Sequence, residues 1–298
     1  MPKANVTEVP LIWLQAGTCS GCSVSVLNSV SPTIKNFVVD QVIPGKHINL
    51  RFQTTLMAGE GDAVIKVLEG AAVNKNGYFL VIEGAIPTGD GGVYGSLGEK
   101  NGNPVPMIER VEALASGAVA VVALGTCAAF GGIAAGKPNP GGYTGVDKFL
   151  GSRKINKPII NIAGCPPHPD WFIGTMVSVL LAGLPKPADL DELKRPKVFY
   201  GNLIHENCPR RAYFDEGKFA KKFGEAGCLN ELGCKGPVTH ADCPLRKWNH
   251  GINWCIDAGS PCIGCCEPGF PDLVSPVYQK LSEANMPMIG KLREREKK

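Results

Sequence analysis

Three observations predict an α/β fold, a parallel sheet covered on both faces and followed by an irregular cysteine-rich domain. Short apolar runs alternate with helix-like segments along the first part of the chain. Proline and charge break that alternation around LPKPADLDELKRPK, Leu184 to Lys197. Beyond it the chain is rich in Cys, Gly and Pro, and no strand-helix repeat resumes. Domains are therefore expected over 1–185 and 186–298.

The elements of the first domain follow in order. PLIWLQA from Pro10 is a short apolar run ending at a glycine, so it predicts a strand, with Cys19 and Cys22 in the loop and CSVSVLNSV as a helix. INLRFQTT from Ile48 is the next strand, followed by a GEGD turn and the helical AVIKVLEGAAV. YFLVIEGA from Tyr78 is the third strand, and PMIERVEALAS from Pro106 has helical spacing. AVAVVALG from Ala118 and PIINIAG from Pro158 are two more strands, and DWFIGTMVSVLLAGL is the last helix. Strands alternating with helices imply parallel pairing, because each crossover returns the chain to the same end of the sheet.

With 298 residues, 44% of them hydrophobic and 19% charged, the chain is long enough for two domains with a sizeable core. A net charge of +4 is small for this length, and the basic residues form no arginine-rich block, so nothing points to nucleic acid. The N-terminal MPKANVTEVPLIWLQAG shows no twin arginine and no apolar segment with a cleavage site, and the longest apolar run, Met176 to Leu184, is too short to span a bilayer. The tail KLREREKK is charged. These features lead to the expectation of a cytoplasmic protein without a transmembrane segment, attached to a membrane only through a partner.

Twelve cysteines carry the chemistry. Five lie between Thr239 and Pro268, where Cys262 and Cys265 form a C-x-x-C pair preceded by Cys255 and Cys243, so four thiolates can converge on one centre. In the first domain Cys19 and Cys22 follow the first strand, Cys127 follows AVAVVALG and Cys165 follows PIINIAG. All four stand at carboxyl ends of strands, the edge at which open α/β sheets bind ligands, and Glu83 ends another strand there. A third set is His205 and Cys208 in HENCPRR with Cys228 and Cys234 in GEAGCLNELGCKG. Cys266 is left over. Disulfides would need an oxidising compartment. Structural zinc would favour paired C-x-x-C or H-x-x-x-H motifs, whereas Cys127 and Cys165 are isolated. Twelve donors in three sets of four fit iron-sulfur clusters and electron transfer. The glycine-rich GEGDA, TGDGGVYGSLG and GTCAAFGG match neither phosphate-binding pattern and are expected to be loops that touch a partner.

CSGC at Cys19, GTCAAFGG at Gly125, GCPPHP at Gly164, HENCPRR at His205 and NWCIDAGSPCIGC at Asn253 together resemble the small subunit of nickel-iron hydrogenases over nearly the whole chain. The resemblance implies a flavodoxin-like first domain and an irregular second domain carrying two clusters. It implies an obligate large-subunit partner holding the nickel-iron site where dihydrogen is split, so no catalytic residue is expected here. Carried over, Cys19, Cys22, Cys127 and Cys165 hold a proximal cluster, His205, Cys208, Cys228 and Cys234 a distal one, and Cys243, Cys255, Cys262 and Cys265 a medial one. Electrons would pass through the three clusters to a redox acceptor protein or a quinone-linked partner. Whether two heterodimers pair in the assembly is left open.

Three departures bear on that carry-over. Cys255 stands where many members have proline and a 3Fe-4S medial cluster, so all three clusters are expected to be 4Fe-4S. Val24 stands where many members have glutamate. Gly21 stands where certain oxygen-tolerant members carry an extra cysteine. The histidine-bearing cluster is expected nearest the surface, flanked by Lys218, Lys221, Lys222 and Lys235 as a face for an acidic redox partner.

Overall fold

The structure, a computed structural model, describes residues 6–74, 77–274 and 278–280, so the charged tail KLREREKK lies outside the described residues. Two compact units emerge, Met1–Pro196 and Lys197–Lys298. The sequence break at 185/186 lies upstream of this division. The intervening segment stays with the first unit because Asn161 donates its backbone N–H to Lys194 and its side-chain amide to Leu193, while Lys194 pairs with Asp147 at 2.7 Å.

The first unit is built on five strands, β1 Thr7–Gln15, β2 Lys46–Gln53, β3 Phe79–Glu83, β4 Ala120–Leu124 and β5 Ile159–Ile162. They pair in parallel in the order β2-β1-β3-β4-β5, which is the flavodoxin-like order. Every residue of β4 and β5 is buried, as expected for strands covered on both faces. Their apolar runs lack an alternating pattern for the same reason.

The helices are α1 Gly21–Leu27, α2 Ile34–Val38, α3 Gly61–Asn74, α4 Met107–Gly117, α5 Thr126–Phe130, α6 Val146–Ser152 and α7 Pro169–Ala182. Successive strand residues face opposite sides, so Ile12, Leu14, Leu80, Ile82, Val121 and Ala123 form one core with Leu68 of α3, Leu114 of α4 and Phe149 of α6. On the other side Trp13 meets Phe172 of α7 with ring centroids 5.1 Å apart, and Phe172 meets Phe37 of α2 at 5.7 Å. Two short antiparallel pairs, residues 86–87 with 143–144 and 96–100 with 103–106, lie outside the main sheet.

Among its described residues the second unit has no sheet. Its helices, α8 Lys197–Tyr200, α9 Arg211–Asp215 and α10 Cys243–Arg246, are one turn or slightly more, and single 3-10 turns supply most of the rest. Tyr200, Ile204, Leu229, Trp254, Ile256 and Phe270 make a small core. Helices of four or five residues have little stability of their own.

Candidate metal centres

The first site sits at the carboxyl edge of the sheet. β1 ends at Gln15 beside Glu83, which ends β3, and the loop after β1 delivers Cys19 and Cys22. Gly125 N donates to Ile162 O, Thr126 N donates to Gly164 O, and Gly164 N donates back to Thr126 Oγ1 at 2.8 Å. These bonds bind together the loops that carry Cys127 and Cys165. Burial pushes the Cys22 thiol far above its ordinary value, and the charges of Glu83, Cys127, Cys165 and Cys19 push it the same way. All four cysteines expected in this set are therefore neighbours in space.

The backbone closes tightly on these sulfurs. A Cβ on Gly125, where φ is +93°, would stand 2.5 Å from Cys22 Sγ, and one on Gly132 would stand 2.8 Å from Cys127 Sγ. A Cβ on Gly21 would lie 3.2 Å from Cys19 Sγ, so a side chain at that position would press on this thiol.

Glu83 is fully buried and organises the site. Its carboxylate accepts from Trp13 Nε1 at 3.0 Å, Thr18 Oγ1 at 3.1 Å and the Ser23 backbone N–H at 3.2 Å, and the Ser23 hydroxyl donates to it as well. A buried carboxylate needs such donors. The sequence marks Glu83 by its place at a strand end, but nothing local marks Trp13 or Ser23 as its partners.

In the second unit His205, Cys208, Cys228 and Cys234 line one cavity together with Arg210, Asn230 and Gly236. The 3-10 turn 204–207 presents His205 and is followed directly by Cys208, and Cys228 immediately precedes the turn 229–232. Burial raises the Cys208 and Cys228 thiols, opposed by the backbone N–H groups of Arg210 and Asn230, and it pushes Cys234 up to about 11. The His205 ring is itself buried, covered edge-on by Phe214 of α9 at 4.6 Å, so the residue expected to tolerate exposure is shielded within this chain.

The last group gathers Cys243, Cys255, Cys262 and Cys265. Cys243 is raised well above its ordinary value by burial and by the charges of Cys265 and Cys255, and an indole N–H from Trp248 opposes this. Cys262, also raised by burial, faces Cys234, Cys265 and Cys243, and its thiol lies 3.5 Å from the Gly264 N–H. Cys266 joins them: it is buried, and its sulfur lies 3.9 Å from Cys265 Sγ. The residue left over from the three sets is thus brought by the C-x-x-C-C turn to the same side as Cys265.

Lys235 corrects another expectation. It is not part of a surface face but fully buried, whereas Lys218, Lys221 and Lys222 are exposed. Charge alone reads as a solvated residue, and only the packing around it reveals otherwise.

Among the described residues no cysteine is in a disulfide. Several buried thiols crowded together resist joint ionisation, so each group suits a positively charged iron core that stabilises the thiolates. Among the described residues no three His, Cys, Asp or Glu side chains close on one point tightly enough for a single metal ion.

A flavodoxin-like sheet with thiols gathered at its ligand-binding edge, joined to a cysteine-rich unit that forms no sheet among its described residues, is the architecture of a redox subunit. Residues 200–278 match the family model for the C-terminal part of the NiFe/NiFeSe hydrogenase small subunit, and residues 19–179 match that for the NADH ubiquinone oxidoreductase 20 Kd subunit. The periplasmic [NiFeSe] hydrogenase small subunit of Desulfomicrobium baculatum is 45% identical over 282 residues, covering 91% of this chain and 87% of that protein. The F420 non-reducing hydrogenase II small subunit of Methanosarcina mazei is 37% identical, covering 96% and 80%. The crystal structure of a reduced, active form of the D. baculatum enzyme superposes with a TM-score of 0.85 over 92% of this chain and 100% of that one. The chain belongs to the nickel-iron hydrogenase small-subunit family, whose members pair with a large subunit holding the catalytic site. Among the described residues no helix is long and apolar enough to cross a membrane.

Proposed function

We propose that this chain relays electrons between the nickel-iron site of its large subunit and an external acceptor through three 4Fe-4S clusters. Cys19, Cys22, Cys127 and Cys165 would hold the proximal cluster within domain 1–185. His205, Cys208, Cys228 and Cys234 would hold the distal one, and Cys243, Cys255, Cys262 and Cys265 the medial one, within domain 186–298. What supports the reading is that Cys19, Cys127 and Cys165 act on Cys22 at one sheet edge, that His205, Cys208, Cys228 and Cys234 line one cavity, and that Cys243, Cys255, Cys262 and Cys265 lie within reach of one another in the second unit. When bound, the clusters supply one-electron carriers whose potentials follow charge, hydrogen bonding and exposure. The chain's own residues shape these: buried thiols near Glu83 in the first group, Arg210 and the Asn230 N–H beside the second, and Trp248 and the Gly264 N–H beside the third.

The acceptor is a redox protein or a quinone-linked partner. On the absence of an export signal read in the N-terminal sequence, we take the cytoplasm as the location, against the periplasmic naming of the D. baculatum relative. Cell fractionation decides it. Iron and acid-labile sulfide analysis of the purified complex, with electron paramagnetic resonance across a potential titration, tests the relay. Three separate four-iron signals are expected. Zinc in place of iron, or fewer than three clusters, would sink the reading.

A further inference from the structure

The buried side chain of Lys235 has an unusual position. Lysine is almost never fully buried unless its charge is met, and removing an ammonium from water costs several kcal/mol in a real protein. Here Nζ donates to Gly233 O at 2.6 Å and to Gln279 O at 2.5 Å. These carbonyl oxygens offer dipoles to the ammonium. Burial works against its charge, and the sulfurs of Cys234 and Cys262, one from the distal group and one from the medial group, favour it.

The backbone repeats that bridging position. Lys235 follows Cys234 directly in sequence, and its N–H donates to Cys262 O at 2.7 Å. Thr239 Oγ1 donates to Lys235 O at 2.7 Å and receives the Cys262 thiol at 3.8 Å. Gly264 leaves room for the lysine stem, since a Cβ there would stand 3.4 Å from Lys235 Cβ. Chain, hydroxyl and ammonium thus all place Lys235 between two donor sets.

We propose that Lys235 is a fixed positive charge shared by the distal and medial centres, a tuning residue that raises both reduction potentials together. This rests on the three-cluster reading above. Adding an electron makes a cluster more negative, and a nearby cation in a poorly screened interior favours that state. One charge facing both sets moves their potentials in the same direction, which limits the energy step between neighbouring carriers.

The test is a potential titration followed by electron paramagnetic resonance on the complete complex with its large subunit, comparing native protein with Lys235→Met, Lys235→Gln and Lys235→Arg. The neutral variants should shift both the distal and medial midpoints to lower potential, and Lys235→Arg should hold them near the native values. Lys235→Gln retains hydrogen-bond donors without charge and decides the matter if Lys235→Met does not load iron. Native clusters with unmoved midpoints in the neutral variants would overturn the inference. So would a shift of one midpoint only, or failure of both neutral variants to load, which would make Lys235 a structural anchor. Absence of iron-sulfur signals in the native complex would instead overturn the cluster reading on which the inference rests.

Discussion

A single methyl group at Gly125 would collide with a thiol of the proximal set, since its Cβ would stand 2.5 Å from Cys22 Sγ. The backbone there, at φ +93° and ψ 158°, lies in a region open almost only to glycine. Gly125→Ala should therefore cost on the order of 1–3 kcal/mol in strain and displace Cys22. Iron analysis should show the proximal cluster lost or depleted while the other two load. Unchanged loading would mean that the loop yields. At the medial group, Cys255 is exposed and Cys266 buried, yet the ligand role is proposed for Cys255. Cys255→Pro should produce a three-iron signal and a raised medial potential, and Cys266→Ser should change neither. The reverse result would transfer the role to Cys266, whose sulfur is already beside Cys265. Cysteines were legible in the sequence because their spacing and their places at strand ends sort them into sets. Lys235 was not, because burial of a charge depends on which distant segments fold over it.

Strand ends position the proximal chemistry. β3 ends in Glu83, and its carboxylate ties β1 through Trp13 and the loop after it through Thr18 and Ser23. Removing that acceptor strands buried donors, which costs more than the bond itself contributes. Glu83→Ala should lower stability by about 1.5–3 kcal/mol, read as a lower guanidinium midpoint, and loosen the CSGC loop. A neutral result would mean that water replaces the carboxylate. The five strands and helices α1, α3, α4 and α7 follow from apolar period and glycine punctuation. The short α2, α5 and α6 and the two small antiparallel pairs do not, because elements of two to seven residues carry too few apolar positions to display a period. The second unit shows the same limit throughout: its turns are placed by hydrogen bonds between remote loops, such as Ile204 N to Thr239 O at 2.8 Å.

As a molecule, the chain holds donor sets for wiring, and the catalytic site belongs to the large subunit of its family. Purified alone, it should neither oxidise dihydrogen nor evolve it, and activity should appear on co-purification with that partner. Activity of the lone chain would refute the division of labour. Lys218, Lys221 and Lys222 remain as an exposed basic loop next to Cys228, although Glu216 and Glu225 pair with two of them. Neutralising these lysines should slow reduction of an acidic protein acceptor and weaken its salt dependence, with uptake measured by a small dye unchanged. Equal loss in both assays would remove the docking role.

The three donor sets also do not interleave along the chain: the first ends at Cys165, the second spans His205 to Cys234, and the third begins at Cys243. As the polypeptide leaves the ribosome, each set is complete before the first residue of the next appears. A nascent chain can therefore receive its centres one at a time, in the order proximal, distal, medial, without thiols of different sets competing for the same iron. Stalled chains of increasing length should gain iron in three steps, and exchanging the order of the HENC and NWC segments should scramble that sequence of loading.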